Sequence, residues 1–121
     1  MKHDNLKDRT KAFTLRIVKL VDSLPNRQTP QVIGKQLLRC GTSVGANYRA
    51  SCRARSQADF ISKMGIVEEE SDESLFWMEI LVESGIVKEE LLKDLMKEAD
   101  ELKAIFTSSG KTARENNIKK K

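Results

Sequence analysis

The sequence predicts an all-α protein: an up-down-up-down antiparallel four-helix bundle with a disordered basic C-terminal tail. Three observations lead there. Apolar residues recur at three- and four-residue steps over four long segments, the signature of one buried helical face. No segment shows the two-residue alternation of a half-buried strand, and no internal repeat is visible. Two Pro, six Gly and six aromatic residues in 121 supply too few turn signals and β-formers for a sandwich or barrel.

The first helix is expected from about Asn5 to Leu24. Leu6, Phe13, Ile17, Leu20 and Leu24 form its stripe, and Pro25-Asn26 stop it. Thr29-Pro30 reads as a start, with Thr at the N-cap and Pro at the first helical position. The second helix then runs from about Pro30 to Arg55. Its inward stripe is Ile33, Leu37, Cys40, Val44, Asn47 and Ser51. Gly34, Gly41 and Gly45 lie inside it, each costing roughly 1 kcal/mol of helix propensity against Ala. A loop near Cys40–Gly45 would explain them. A continuous helix whose small residues admit a close neighbour explains them better, because the stripe keeps its phase across the glycines.

Ser56 is the expected N-cap of the third helix, with Asp59 in its first turn. Phe60, Met64, Val67, Ser71, Leu75, Met78 and Val82 face inward, and Gly85 is the stop. The fourth helix is expected from about Lys88 to Thr107 on Leu91, Leu92, Leu95, Ala99, Leu102, Ile105 and Phe106, ended by Ser108-Ser109-Gly110. Residues 1–110 are then one bundle domain and 111–121 a flexible basic tail. Ile17, Leu37, Val44, Met64, Leu75, Met78, Leu95 and Leu102 are the expected core.

Charge divides the chain. Met1–Lys63 holds 13 Lys or Arg and 4 Asp or Glu. Met64–Gly110 holds 4 and 13, and Lys111–Lys121 holds 5 and 1. Such a split suits a basic face for polyanions, or complementary helices that pair within or between subunits. Arg49, Arg53 and Arg55 crowd the end of the second helix, with Lys63 across the turn and Lys35 and Arg39 earlier on the same helix. Arginine's planar fork suits phosphate. These six are the candidate nucleic-acid contacts. The plainer reading makes them a solvated helix end or partners of the acidic third helix. Folding back at Ser56 brings Arg39 near Asp72 or Glu73, so an ion pair across that interface is expected.

Chemistry has little to build on. The one histidine is His3, so neither a His-based triad nor a His-rich metal site is available, and no enzyme activity is expected. Glu69, Asp72 and Glu73 share a helix face, but the Glu-x-x-His pairs of bundle metal sites are missing. No cofactor or metal is expected. Cys40 and Cys52 lie about 18 Å apart along one helix and cannot bridge there. Nothing resembles a membrane span or a signal peptide, and a cytoplasmic setting is the expectation.

The segment from Gln36 to Asn47, with Gly41-Thr42-Ser43-Val44-Gly45-Ala46-Asn47 at its heart, resembles the core motif of the bacterial four helix bundle proteins, also called 23S rRNA intervening-sequence proteins. Ala58-Asp59-Phe60 and the Asp72–Leu81 segment are similar to the start and the acidic, aromatic motif of that family's third helix. The likeness covers about Leu6 to Ala113. It implies structural roles for Gly41, Ser43, Gly45, Asn47, Asp72 and Glu73. It also implies assembly with itself as a homopentamer, and nucleic-acid binding beside a reverse transcriptase in the retroelement branch. Most members have no established biochemical role. Tyr48-Arg49-Ala50 departs from the family pattern and makes this helix end more basic.

Overall fold

A computed structural model describes the backbone of residues 2–120 and the side chains of residues 5–119. Four helices follow in order: α1 (Lys2–Asp22), α2 (Gln28–Ser51), α3 (Gln57–Glu83) and α4 (Glu89–Lys120). No strand occurs among the described residues. Each helix packs on its chain neighbour, and α4 closes only loosely on α1. Short connections between long helices dictate this antiparallel order.

The helix ends follow from local chemistry. Ser56 caps α3, its Oγ accepting from the Asp59 N–H at 3.0 Å. Gly85 ends it with φ +78°, a left-handed conformation open to glycine without strain. Gly85 N–H donates to Val82 O and Ile86 N–H to Leu81 O, both at 3.0 Å, which is a Schellman closure. The start of α2 differs from expectation. Its N-cap is Arg27, in extended conformation and without a side-chain cap, and Gln28 is the first helical residue. Thr29 and Pro30 therefore lie inside the first turn. Proline is tolerated there because that turn's N–H groups have no intrahelical acceptor. The far end of α2 also differs: it stops at Ser51, so Arg53 and Arg55 belong to the connection to α3.

The largest departure is α4. It passes through Ser108, Ser109 and Gly110 and remains helical to Lys120, so the flexible tail expected over 111–121 is a helix as far as it is described; Lys121 lies outside the described residues. Leu95, Ala99, Leu102, Phe106, Gly110 and Ala113 are all buried and hold one phase. The stripe does not end at Phe106 but turns small. A Cβ at Gly110 would lie 3.7 Å from Met64 Cβ, and Gln57 Nε2 donates to Ala113 O at 3.1 Å. The first turns of α3 thus give the end of α4 a surface to pack on.

Seven of the eight expected core residues are buried; Leu75 is half-buried. Tyr48 joins the core, its ring centroid 5.6 Å from that of Phe106. The polar interior closes on itself. Ser71 Oγ donates to Val67 O at 2.8 Å, and Ser51 Oγ to Tyr48 O at 2.6 Å. No buried side-chain nitrogen or oxygen lacks a partner among the described residues. Asn47 donates to Ser43 O at 3.0 Å and Ser43 Oγ at 2.8 Å, one turn back on its own helix, and not to a neighbouring helix.

Helix α2 is unbroken through its glycines, and α1 is the reason they are there. A Cβ at Gly41 would sit 2.6 Å from Ile17 Cγ2, and one at Gly45 would sit 2.5 Å from Thr14 Oγ1. Ile17 is fully buried and has no room to yield. Gly65, on α3, has nothing within 4 Å of the same position. Gly41→Ala should therefore lower stability by about 1–3 kcal/mol despite its gain in helix propensity. Gly65→Ala should raise stability by about 0.5–1 kcal/mol. Urea midpoints of the two variants check this; equal shifts would remove the close-approach account.

Candidate nucleic-acid interface

The six cations singled out in the sequence do not form one cluster. Lys35 and Arg49 are about 21 Å apart along α2. Arg39 is taken up by α3: it donates to Glu73 through Nη2 and to Glu70 through Nη1 at 3.3 Å. The expected interhelix pair thus forms with Glu73, while Asp72 turns the other way and accepts from Lys103 Nζ at 2.8 Å. Lys63 lies 4.0 Å from Asp59, one turn before it on α3. Lys35, Arg49, Arg53 and Arg55 are exposed and make no ion pair among the described residues.

Of these four, Arg49 stands in a groove. The groove runs between α1 and α2, has a volume of about 460 Å³, and is walled by Lys7 and Lys11 on α1 and Arg49 on α2. Gly45, Thr14, Thr42 and the carboxylate-bearing Asp8 also line it. Its shape follows from the glycine contacts, since the missing Cβ at Gly45 lets Thr14 come close. Thr14 Oγ1 donates to Gly41 O at 3.0 Å, which fixes α1 against α2. Thr42 Oγ1 donates back along its own helix, to Leu38 O at 2.7 Å. Lys7, Lys11 and Arg49 form no ion pair among the described residues. Sequence reasoning missed Lys7 and Lys11. The i, i+4 spacing was a visible signal, but their place opposite Arg49 depends on the α1–α2 register.

The other charged groups are occupied with the fold. Arg9 ties α1 to α4, donating to Glu98 at 3.0 Å through Nε and to Glu101 at 3.3 Å through Nη2. The Glu98 hydrogen bond holds the Arg9 guanidinium even more firmly charged than usual. Asp72 does the same for the Lys103 ammonium, chiefly through their hydrogen bond. Glu73 is held below the usual carboxylate range, first by the Arg39 hydrogen bond and then by Trp77 Nε1–H, which donates at 3.0 Å. Among the described residues no three His, Cys, Asp or Glu converge on a metal-sized site. Burial pushes the Cys40 thiol up to about 11, so it is not a thiolate at neutral pH. No helix among the described residues is long and apolar enough to cross a membrane.

Fold and surface together define an antiparallel helical bundle with a basic first hairpin and an acidic third helix. The family model for 23S rRNA-intervening sequence proteins matches residues 4–108, and the chain belongs to that family. A similar solved structure is that of a Bacteroides thetaiotaomicron protein of unknown function from the S23 ribosomal protein family. It is 37% identical, covers 92% of this chain and 99% of its own, and superposes with a TM-score of 0.84. Among curated proteins, none matches the chain.

The lowered Glu73 value has a signed consequence for stability. A carboxylate whose folded pKa lies below its unfolded value stabilises fully above that unfolded value, near 4.5 here, and loses the contribution as pH falls through the folded value. Glu73→Gln should therefore melt lower than the wild type at about pH 7, and the gap should narrow by about pH 3. Thermal melts of both proteins across this range check it. A gap that does not narrow would mean that Glu73 acts through packing and not through its charge.

Proposed function

We propose that this protein is a non-enzymatic, oligomeric bundle that binds nucleic acid, RNA more than DNA, through the basic face of α1 and α2. One observation carries the reading. Carboxylates of α3 and α4 take up Arg9, Arg39, Lys63 and Lys103, yet Lys7, Lys11, Lys35, Arg49, Arg53 and Arg55 make no ion pair among the described residues. Lys93 and Lys97 of α4 are also unpaired among the described residues, but they alternate with carboxylates. Asp8 and Asp22, in contrast, are the only acidic residues between Asn5 and Arg55, and such a hairpin makes an electrostatic footprint for a phosphate backbone. A single chain offers modest contacts, and repetition around an oligomer multiplies them through avidity. The family resemblance favours five subunits.

A specific surface supports self-association. Phe76 is 48% exposed on α3 and stacks edge-on against Trp77, with ring centroids 5.0 Å apart. Glu69, Asp72, Glu73, Glu79 and Glu83 surround it at helical spacing. Leu15, 55% exposed one turn before Lys19 on α1, offers an apolar and basic counterpart. A contact between two different faces of this kind closes into a ring when the rotation permits. If the basic face serves only such contacts, the protein is an assembly module without a nucleic-acid role.

Two measurements decide. Light scattering at micromolar concentration should give a mass well above 13.7 kDa; a monomeric mass would remove the oligomer. Fluorescence anisotropy with a short labelled RNA should show affinity falling steeply, by about tenfold or more, between low and physiological salt. Arg49→Glu combined with Arg53→Glu should abolish binding with helix content unchanged. Absence of binding at low salt would leave the assembly reading.

A further inference from the structure

Resting on the nucleic-acid reading above, we infer that the α1–α2 groove is the seat of a single-stranded RNA backbone. In this arrangement Lys7, Lys11 and Arg49 meet phosphates, and the threonine oxygens meet ribose. The placement of charge carries the first half. Lys7 and Lys11 stand about 6 Å apart along α1, on the same wall. Arg49 faces them from α2 across a volume of about 460 Å³. Two point charges in series and one planar fork opposite suit successive phosphates of an extended strand better than one isolated anion. Asp8 also lines the groove and offsets one of its three cations, which leaves a net positive charge among the lining residues.

What lies between the walls carries the second half. Among the described residues no aromatic side chain lines the groove, and none of them offers a platform for stacking bases. Gly45 and Ala46 leave room for a sugar to approach the helix backbone. The Thr14 hydroxyl gives its proton to Gly41 O, and the Thr42 hydroxyl gives its proton to Leu38 O. Each therefore presents lone pairs and no donor to the groove. A ribose 2′-hydroxyl can donate to such an oxygen; deoxyribose cannot. The groove is thus a reader of backbone and sugar, indifferent to base identity.

The test compares labelled oligouridylate, oligoadenylate and oligodeoxyuridylate of one length, using the full chain. The wild type should bind the two RNAs alike and the DNA more weakly. Lys7→Ala with Lys11→Ala and Arg49→Ala should lower RNA affinity by about tenfold or more and reduce the slope of log affinity against log salt by about two. Ala46→Glu, at an exposed position on the groove, should lower it without removing any cation, which guards against a misfolded triple variant. Lys93→Ala with Lys97→Ala, exposed on α4 and outside the groove, should cost less than about threefold. If the wild type binds RNA and the groove variants bind as well as it does, the groove assignment is overturned while RNA binding stands. Equal affinity for RNA and DNA overturns the sugar contact. A wild type that binds no RNA at low salt overturns both the groove and the reading on which it rests.

Discussion

The approach of α1 to α2 at Gly41 and Gly45 is the constraint on which the rest of the molecule depends. Ile17 fills the space that a Cβ at Gly41 would occupy, and Thr14 bonds to the Gly41 carbonyl over the same stretch. Two helix-weakening residues in the middle of α2 cost roughly 2 kcal/mol of propensity. That cost is offset by burying Ile17 and Phe13 against Leu37, Cys40 and Val44, each large side chain contributing about 1.5–3 kcal/mol. Moving α1 outward by the width of one methyl group would open that contact and flatten the groove beside it. Packing and surface therefore share one cause.

The ion pairs arrange themselves around this hairpin. Arg39 reaches α3, Lys103 joins α4 to α3, and Arg9 joins α1 to α4 where the helices meet least closely. Most of these groups are at least partly exposed, so their value lies in fixing helix register more than in raw stability. Their effect on the surface is larger. They commit carboxylates of the acidic half to cations beside them and leave most of the basic hairpin uncompensated. The hairpin's basic excess lies in its composition, since Asp8 and Asp22 are the only acidic residues between Asn5 and Arg55.

The polar residues buried in the bundle follow the same economy of local satisfaction. Thr10, Ser51, Ser71 and Ser74 each donate to a carbonyl three or four residues back, so none needs a partner on another helix. Ser74 Oγ also lies 3.3 Å from Cys40 Sγ, where α2 crosses α3. Small hydroxyl residues admit this crossing without leaving a polar atom orphaned. Cys40 is accordingly a packing residue whose thiol stays protonated.

Four helices, the Ser56 cap, the Gly85 stop and the apolar stripes, apart from Leu91, which is 75% exposed, were legible in the sequence, because these depend on residues within a turn or two of one another. The sequence by itself also determined that the chain divides by charge. It misjudged the start of α2, where Arg27 without a side-chain cap outranks Thr29, and the end of α4, where Ser108-Ser109-Gly110 looked like a stop. Local chemistry cannot show that Met64 and Gln57 wait across the interface to pack against Gly110 and Ala113. The site was legible only in part for the same reason. Arg49 was visible as a cation on an exposed helix end. That Arg39 is neutralised by Glu73, and that Lys7 and Lys11 stand opposite Arg49, depends on the register of antiparallel helices. Register is set by which small residue lies against which large one, and only the tertiary structure decides that.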